Sequence, residues 1–217
     1  MNDIIKIVLV DDHTIFRDGI KSVLTQIDDF YIIDEAETGV EFLKILDKHV
    51  PDIVLMDISM PEMDGIEATE KALAKYPELK IITLSSYSDH IYYYKMIKAG
   101  VQGFVLKTSG KKDLENAIKA VYKGENYFPQ DILKNLLFKI STQGINSLSS
   151  NEIRISKRET QVLQLICQGN TNNEIADNLC ISPKTVDNHR TNLLSKTSTK
   201  NSAHLVMFAI KHHLIEI

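Results

Sequence analysis

From Ile4 to Val10 the chain is almost wholly apolar, and it then meets Asp11 and Asp12. Shorter apolar runs recur at Tyr31–Ile33, Ile53–Met56, Ile81–Leu84 and Gly103–Leu106. A brief continuous run of this kind fits a strand covered on both faces, because neither side of it meets water. Between the runs, apolar residues return at helical spacing over Phe16–Leu24, Val40–Leu46, Ile66–Leu73, Tyr92–Ile97 and Leu114–Val121. Thr38 stands three residues before Glu41 and Asp64 three before Glu67, the spacing of a helix N-cap and its acidic companion; Ser109 is the candidate cap of the last helix. Five strands alternating with five helices predict an α/β domain with a doubly wound parallel sheet, ending near Tyr122.

The pattern then changes. GENYFPQ is followed by Asp131–Ile140, whose Leu133, Leu136, Leu137 and Ile140 suit a short amphipathic helix, and by a Ser/Gly/Asn-rich stretch over 141–152. Residues 124–152 therefore read as a linker. Beyond it, Ser156 with Glu159 opens a helix carrying Val162, Leu163, Leu165 and Ile166, which Gly169 ends. Thr171 with Glu174 opens a second, which buries Ile175, Ala176 and Leu179. Ser182-Pro183 opens a third running toward Lys196, and a fourth lies near Ala203–Lys211. Two short helices about a tight turn describe a helix–turn–helix unit, so residues 153–217 form a small all-α domain of four helices. On the third helix Val186 and Leu193 point inward. Lys184, Thr185, Asp187, Asn188, Arg190 and Thr191 are left around its outer surface, as contacts to phosphates and base edges require. His189 is expected to pack.

Composition bounds the function. A 217-residue chain that is 43% hydrophobic and 25% charged is neither a disordered chain nor a helical rod. No apolar run approaches the roughly 20 residues of a membrane span, and the N-terminus turns acidic too soon for a signal peptide. Cys167 and Cys180 provide neither a disulfide framework nor a metal site and are expected as buried small apolar groups; a cytoplasmic protein is expected. The net charge of −4 is unevenly spread. Residues 1–150 hold 17 basic and 23 acidic side chains, a net −6, whereas residues 151–217 hold 8 and 6, a net +2. An acidic front and a mildly basic tail suggest different partners for the two domains.

In a doubly wound sheet, ligands meet the loops at the carboxyl ends of the strands. There the first strand delivers Asp11 and Asp12, the third Asp57, the fourth Ser85 and the fifth Lys107. Clustered carboxylates repel unless a cation neutralises them, and an all-oxygen set suits Mg²⁺. A hydroxyl and an ammonium opposite suit phosphoryl oxygens. Asp57, between the acidic pair and the Ser/Lys pair, is the best-placed nucleophile for an acyl phosphate. Ser85 is preferred to its neighbour Ser86 because it directly follows the apolar run. Tyr92, Tyr93 and Tyr94 are consecutive and cannot all face one core, so at least one is expected at the surface.

VLVDDH (8–13), DIVLMDISMPEMDGIE (52–67), ITLSSY (82–87) and GFVLK (103–107) together resemble the receiver domain of bacterial two-component response regulators, a flavodoxin-like fold. The segment 156–197 resembles the helix–turn–helix effector of the LuxR, NarL and FixJ group. These resemblances imply that Asp57 accepts phosphoryl from a sensor histidine kinase. They imply Mg²⁺ on Asp12, Asp57 and the Ser59 carbonyl, with Asp11 reaching it largely through water. Ser85 is then the switching hydroxyl, Phe104 the ring that repositions with it, and Lys107 the phosphate partner. The recognition helix is 183–196, and the expected DNA contacts are Lys184, Thr185, Asp187, Asn188, Arg190, Thr191 and Lys196.

The chain departs from the usual pattern at several places: Phe104 stands where Tyr is frequent, Thr108 where many receivers have Pro, Asp187 where Lys is frequent, and Thr197-Ser198 where Leu and Gly are common. The expectation is a DNA-binding transcription regulator, a homodimer on paired half-sites of double-stranded DNA when active. It is a phosphoacceptor rather than an enzyme, able to take phosphoryl from small acyl phosphates and to lose it again. One alternative keeps DNA binding and uses the receiver only for dimerisation; another is a phosphatase or phosphotransferase acting on a metabolite.

Overall fold

Five strands lie side by side in the order β2-β1-β3-β4-β5, and every pairing is parallel: β1 Ile5–Val10, β2 Phe30–Ala36, β3 Ile53–Asp57, β4 Ile81–Ser85 and β5 Gly103–Leu106. The computed structural model describes residues 4–86, 90–128, 155–212 and 214–215. Four helices join the strands, α1 Thr14–Leu24, α2 Gly39–Leu46, α3 Gly65–Lys75 and α4 His90–Ala99, and a fifth, α5 Lys111–Tyr122, follows β5. Parallel strands require such crossovers, and helices on both faces exclude water from the middle strands. Hence all five residues of β3 and of β4 are buried. On one face Ile7, Leu9, Leu55, Ile82 and Leu84 pack with Leu114, Ala117, Ile118 and Val121 of α5.

Thr38 and Asp64 cap α2 and α3 as their spacing predicts, accepting from the N–H groups of Glu41 and Glu67. Ser109 does not cap α5. The capping position falls on Gly110, whose lack of a side chain leaves no such bond. The second strand is longer than its apolar core, because β2 is an edge strand and its half-buried positions, Asp34 and Glu35 among them, need not be apolar. Its register against β1 slips between Ile7 and Val8.

Gly65 starts α3 in close contact with the end of β3: its N–H donates to the Ile58 carbonyl at 2.8 Å, and a Cβ there would lie 1.9 Å from the Asp57 carbonyl oxygen. Beyond α5 the chain returns to the sheet. Tyr127 donates to the Gln102 carbonyl at 3.0 Å and accepts from the Phe104 N–H at 2.8 Å, a parallel bridge on the outer edge of β5.

Contacts divide the chain into two units, Met1–Pro129 and Gln130–Ile217. The helix expected within 131–140 lies outside the described residues. In the second unit α6 Lys157–Cys167, α7 Asn172–Leu179, α8 Pro183–Thr197 and α9 Ser202–Lys211 enclose a core of Val162, Leu163, Ile175, Val186, Leu193 and Leu205. Ser156–Glu159 and Thr171–Glu174 form reciprocal capping boxes, and the Ser182 hydroxyl accepts from the Thr185 N–H ahead of Pro183 at the first helical position. The turn between α7 and α8 passes through Cys180 at φ 51°, a left-handed conformation that exposes its side chain. Cys180 is thus not the buried group expected; Cys167 is half-buried, and its burial pushes its thiol up to about 12. Ser198, where glycine is common, takes the same left-handed conformation at φ 53° and closes α8. His212 follows the last residue of α9, its ring stacked on Phe208 at 4.1 Å. Among the described residues no helix is long and apolar enough to cross a membrane.

Candidate functional site

The carboxyl ends of β1, β3, β4 and β5 bring together the side chains that the sequence places there. Asp11 follows β1 and is fully buried, Asp57 ends β3 and is 3% exposed, Ser85 ends β4 and is fully buried, and Lys107 follows β5. The Lys107 ammonium lies 2.8 Å from Asp11 Oδ2 and 3.0 Å from Asp57 Oδ1, over the Phe16 ring. Burial raises the Asp57 carboxyl to about 6, with the Asp11 charge adding to it and the Lys107 ammonium opposing both. Lys107 is itself held above the usual lysine range: burial opposes its charge, but its bonds to the two carboxylates outweigh that cost.

Asp12 and His13 complete the cluster. Oxygen and nitrogen ligand atoms of Asp11, Asp12, His13 and Asp57 all lie within 4.8 Å of one another. A donor set of three carboxylates in so small a space is chemically suited to a hard divalent cation. His13 was not anticipated. Its Nδ1 sits 2.8 Å from Asp12 Oδ1 and 3.2 Å from Asp11 Oδ1, and the adjacent acidic pair was the only available signal for it. Ser59, two residues beyond Asp57, is exposed between the buried Ile58 and Met60.

Ser85 rather than Ser86 occupies the last buried position of β4, and its hydroxyl donates to the Ser86 carbonyl at 3.1 Å. The Phe104 ring is fully buried. It meets Tyr93 edge-on at 5.2 Å and Phe128 at 5.9 Å. Of the three consecutive tyrosines, Tyr93 is buried while Tyr92 and Tyr94 reach the surface, as helical geometry demands. Among the described residues no peptide bond is cis, that following Lys107 included.

In the second unit, α8 packs on α6, α7 and α9 through Val186 and Leu193. Lys184, Asn188, Thr191 and Lys196 are exposed, while Thr185, Asp187, His189 and Arg190 are half-buried. Asn192 and Ser195 share the exposed surface of the helix and were missed, because neither type announces itself in a polar helix. Two of the expected contact residues are engaged within the domain. The Lys196 ammonium binds both Glu159 carboxylate oxygens at 2.7 and 2.8 Å, and Arg190 Nη1 donates to the Ser202 hydroxyl at 2.9 Å. The Lys184 ammonium lies 3.1 Å from Asp187 Oδ2, so the unusual carboxylate pairs with a lysine one turn away.

Comparison with known proteins accounts for both units. The model of the response regulator receiver domain matches residues 7–119, and that of the luxR family of bacterial regulatory proteins matches residues 154–209. The oxygen regulatory protein NreC of Staphylococcus carnosus is 36% identical over 215 residues, covering 97% of this chain and 99% of NreC. Among solved structures, the RcsB response regulator of Salmonella typhimurium aligns with a TM-score of 0.59 at 28% identity, over 97% of this chain and 99% of that one. RcsB of Salmonella enterica serovar Typhimurium, bound to a promoter in the presence of phosphomimetic BeF3-, aligns with a TM-score of 0.58 at 27% identity, over 97% and 100%.

Proposed function

The chain belongs to the two-component response regulators, a receiver domain joined to a LuxR-family DNA-binding domain, and we propose that Asp57 is the carboxylate through which a sensor histidine kinase switches it. As a response regulator it is a transcription factor activated by phosphotransfer, a phosphoacceptor and not an enzyme. An Asp57 carboxylate oxygen attacks the phosphorus of a phosphohistidine. The P–N bond breaks, its electron pair stays on the imidazole, which takes up a proton, and an acyl phosphate remains on Asp57. With a small acyl phosphate as donor, the leaving group is a carboxylate.

Mg²⁺ held by Asp11, Asp12, Asp57 and the Ser59 carbonyl would neutralise part of the charge that a carboxylate and a phosphoryl group bring together. Lys107 then exchanges its contact with Asp57 for the phosphoryl oxygens, Ser85 donates to them, and Phe104 follows Ser85. The observation that carries this reading is the Lys107 ammonium suspended between Asp11 and Asp57, with Ser85 ending the strand between Asp57 and Lys107.

The receiver comprises residues 1–123, the linker 124–152 and the effector 153–217. Lys184, Thr185, Asp187, Asn188 and Thr191 of the recognition helix form the DNA-facing set, extended by Asn192 and Ser195. Arg190 and Lys196 act first in holding that helix to its domain. A phosphorylated homodimer on paired half-sites suits a domain too small to read a long site alone, and the protein works in the cytoplasm. Incubation with acetyl phosphate and Mg²⁺ is expected to phosphorylate the wild type and not Asp57→Asn, and to raise both DNA affinity and oligomeric mass. Equal phosphorylation of Asp57→Asn would overturn the acceptor assignment; unchanged DNA affinity and mass would overturn the switch.

A further inference from the structure

Arg17 is a buried cation beside the cleft that the phosphoryl-transfer reading leaves without a task. It is 7% exposed on α1. Its Nη1 donates to the main-chain carbonyl of Asp11 at 2.5 Å, its Nη2 donates to Glu37 Oε1 at 2.5 Å, and its Nε lies 3.6 Å from Glu35 Oε2. The Asp11 N–H meanwhile donates to the Ala36 carbonyl at 3.1 Å. The peptide groups on both sides of Asp11 are therefore tied. One is bonded to the end of β2, and the other to a guanidinium that is anchored to the same strand end by two carboxylates.

With its backbone fixed on both sides, the buried Asp11 side chain is aimed at Lys107, 2.8 Å from Oδ2, and at the His13 N–H, 2.8 Å from Oδ1. Only a planar, multi-donor cation serves such a carbonyl and two acids at once; an ammonium on a flexible stem lacks that fork. Desolvating a guanidinium is costly, so a buried one in a loop-facing position needs compensation of this kind. Glu37 is in turn located by α2, since its N–H donates to Glu41 Oε2 at 2.9 Å.

We propose that Arg17 is a positioning residue for phosphoryl transfer: by holding the Asp11 carbonyl, it aims the Asp11 and Asp12 carboxylates at the cation site and keeps Lys107 in register with Asp57. The proposal rests on the reading that these carboxylates hold Mg²⁺ and that Asp57 accepts phosphoryl. Groups that orient metal ligands typically change metal affinity by about 10- to 100-fold when removed.

The test uses the full chain as wild type, Arg17→Met, Arg17→Lys, Glu37→Gln and Asp57→Asn. Mg²⁺ affinity is read by calorimetry without any phosphodonor, and phosphorylation by acetyl phosphate is followed against Mg²⁺ concentration. The ¹⁵N shift of the Asp12 amide reports the peptide that contains the Asp11 carbonyl. Arg17→Met is expected to weaken Mg²⁺ about tenfold or more and to move the Asp12 resonance. It should slow phosphorylation more at low Mg²⁺ than at saturation. Arg17→Lys recovers part of the loss, and Glu37→Gln loses about threefold.

A folded Arg17→Met with Mg²⁺ affinity within about twofold of wild type and an unmoved Asp12 amide overturns the proposal. If Arg17→Met does not fold, wild-type affinity in both Arg17→Lys and Glu37→Gln overturns it instead. Arg17-dependent Mg²⁺ binding in a wild type that phosphorylates no better than Asp57→Asn refutes the acceptor reading and leaves the role of Arg17 standing. No Mg²⁺ binding by the wild type overturns both.

Discussion

Replacing Gly65 by alanine puts a methyl group where the Asp57 carbonyl oxygen already lies. The built Cβ is 1.9 Å from that oxygen, 3.0 Å from its carbon and 3.2 Å from the Ile58 Cα, all of them main-chain atoms that no rotamer change can move. Ordinary contact begins at about 3.4 Å, so α3 and the end of β3 must separate by about 1.5 Å. That separation breaks or stretches the 2.8 Å bond from the Gly65 N–H to the Ile58 carbonyl. Overpacking of this kind costs about 1–3 kcal/mol, against which the helical gain of alanine over glycine returns about 0.5–1 kcal/mol. The net loss expected is about 1–2 kcal/mol.

The effect on chemistry is larger, because a displacement of about 1 Å in a positioned reactive group can cost about 100-fold in rate. Urea unfolding and the initial rate of Asp57 phosphorylation by acetyl phosphate measure the two effects. Gly19→Ala is the control. It lies exposed in α1 with nothing within 4 Å of its built Cβ, and should gain about 0.5–1 kcal/mol with no change in phosphorylation. A Gly65→Ala variant with wild-type stability and rate would refute the reasoning.

Glu159→Gln is expected to destabilise the effector by about 1 kcal/mol at pH 7, a figure discounted because Lys196 is 41% exposed. Burial works against the Glu159 charge, but the hydrogen bonds from Lys196 and Ser156 prevail and hold its carboxyl at about 2. A depressed carboxyl stabilises fully above its unfolded pKa, so the wild-type effector should lose this contribution as pH falls from about 4.5 toward 2, and the Gln variant should not. Hydrogen exchange of the α6 amides across that range checks it. Lys184→Ala should weaken DNA binding and reduce its salt slope by about 1; Lys196→Ala should lower effector stability with a smaller change in slope. With a thiol-disulfide reagent at pH 8, the native protein should react at Cys180 and the unfolded protein at both cysteines, because burial keeps Cys167 protonated. Rapid reaction of both thiols in the native state would contradict the described packing.

The receiver was readable because a parallel sheet buried on both faces writes its strands as unbroken apolar runs. The residue after each run then has to stand at the carboxyl edge. Asp11, Asp57, Ser85 and Lys107 were placed at that edge by this rule; Lys107 lies at ion-pair distance from Asp11 and Asp57, and Ser85 ends the strand between Asp57 and Lys107. The rule says nothing about what supports them. Arg17 is a long polar residue in a helix, and its burial follows only from the position of β2, whose polar end the apolar pattern could not register. Capping residues were legible where an oxygen and an acid recur three apart, but Ser109 satisfied the composition and lost to a helix start one residue later. Polar residues of α8 gave the correct helix without separating those turned outward from those tied to Glu159 and Ser202.

An open sheet has two margins at which a foreign strand can add, and the receiver treats them differently. Along β5, the carbonyl of Gln102 and the N–H of Phe104 already serve the returning Tyr127, so the chain itself seals that margin. Along β2, Asp34 and Glu35 are taken up by partners on the same molecule, Asp34 by His49 and Glu35 by Arg17 and Lys21. Growth of the sheet from one molecule to the next is therefore discouraged along β5, by occupancy of its donor and acceptor. A second receiver adding a strand along β5 would first have to displace Tyr127 from Gln102 and Phe104.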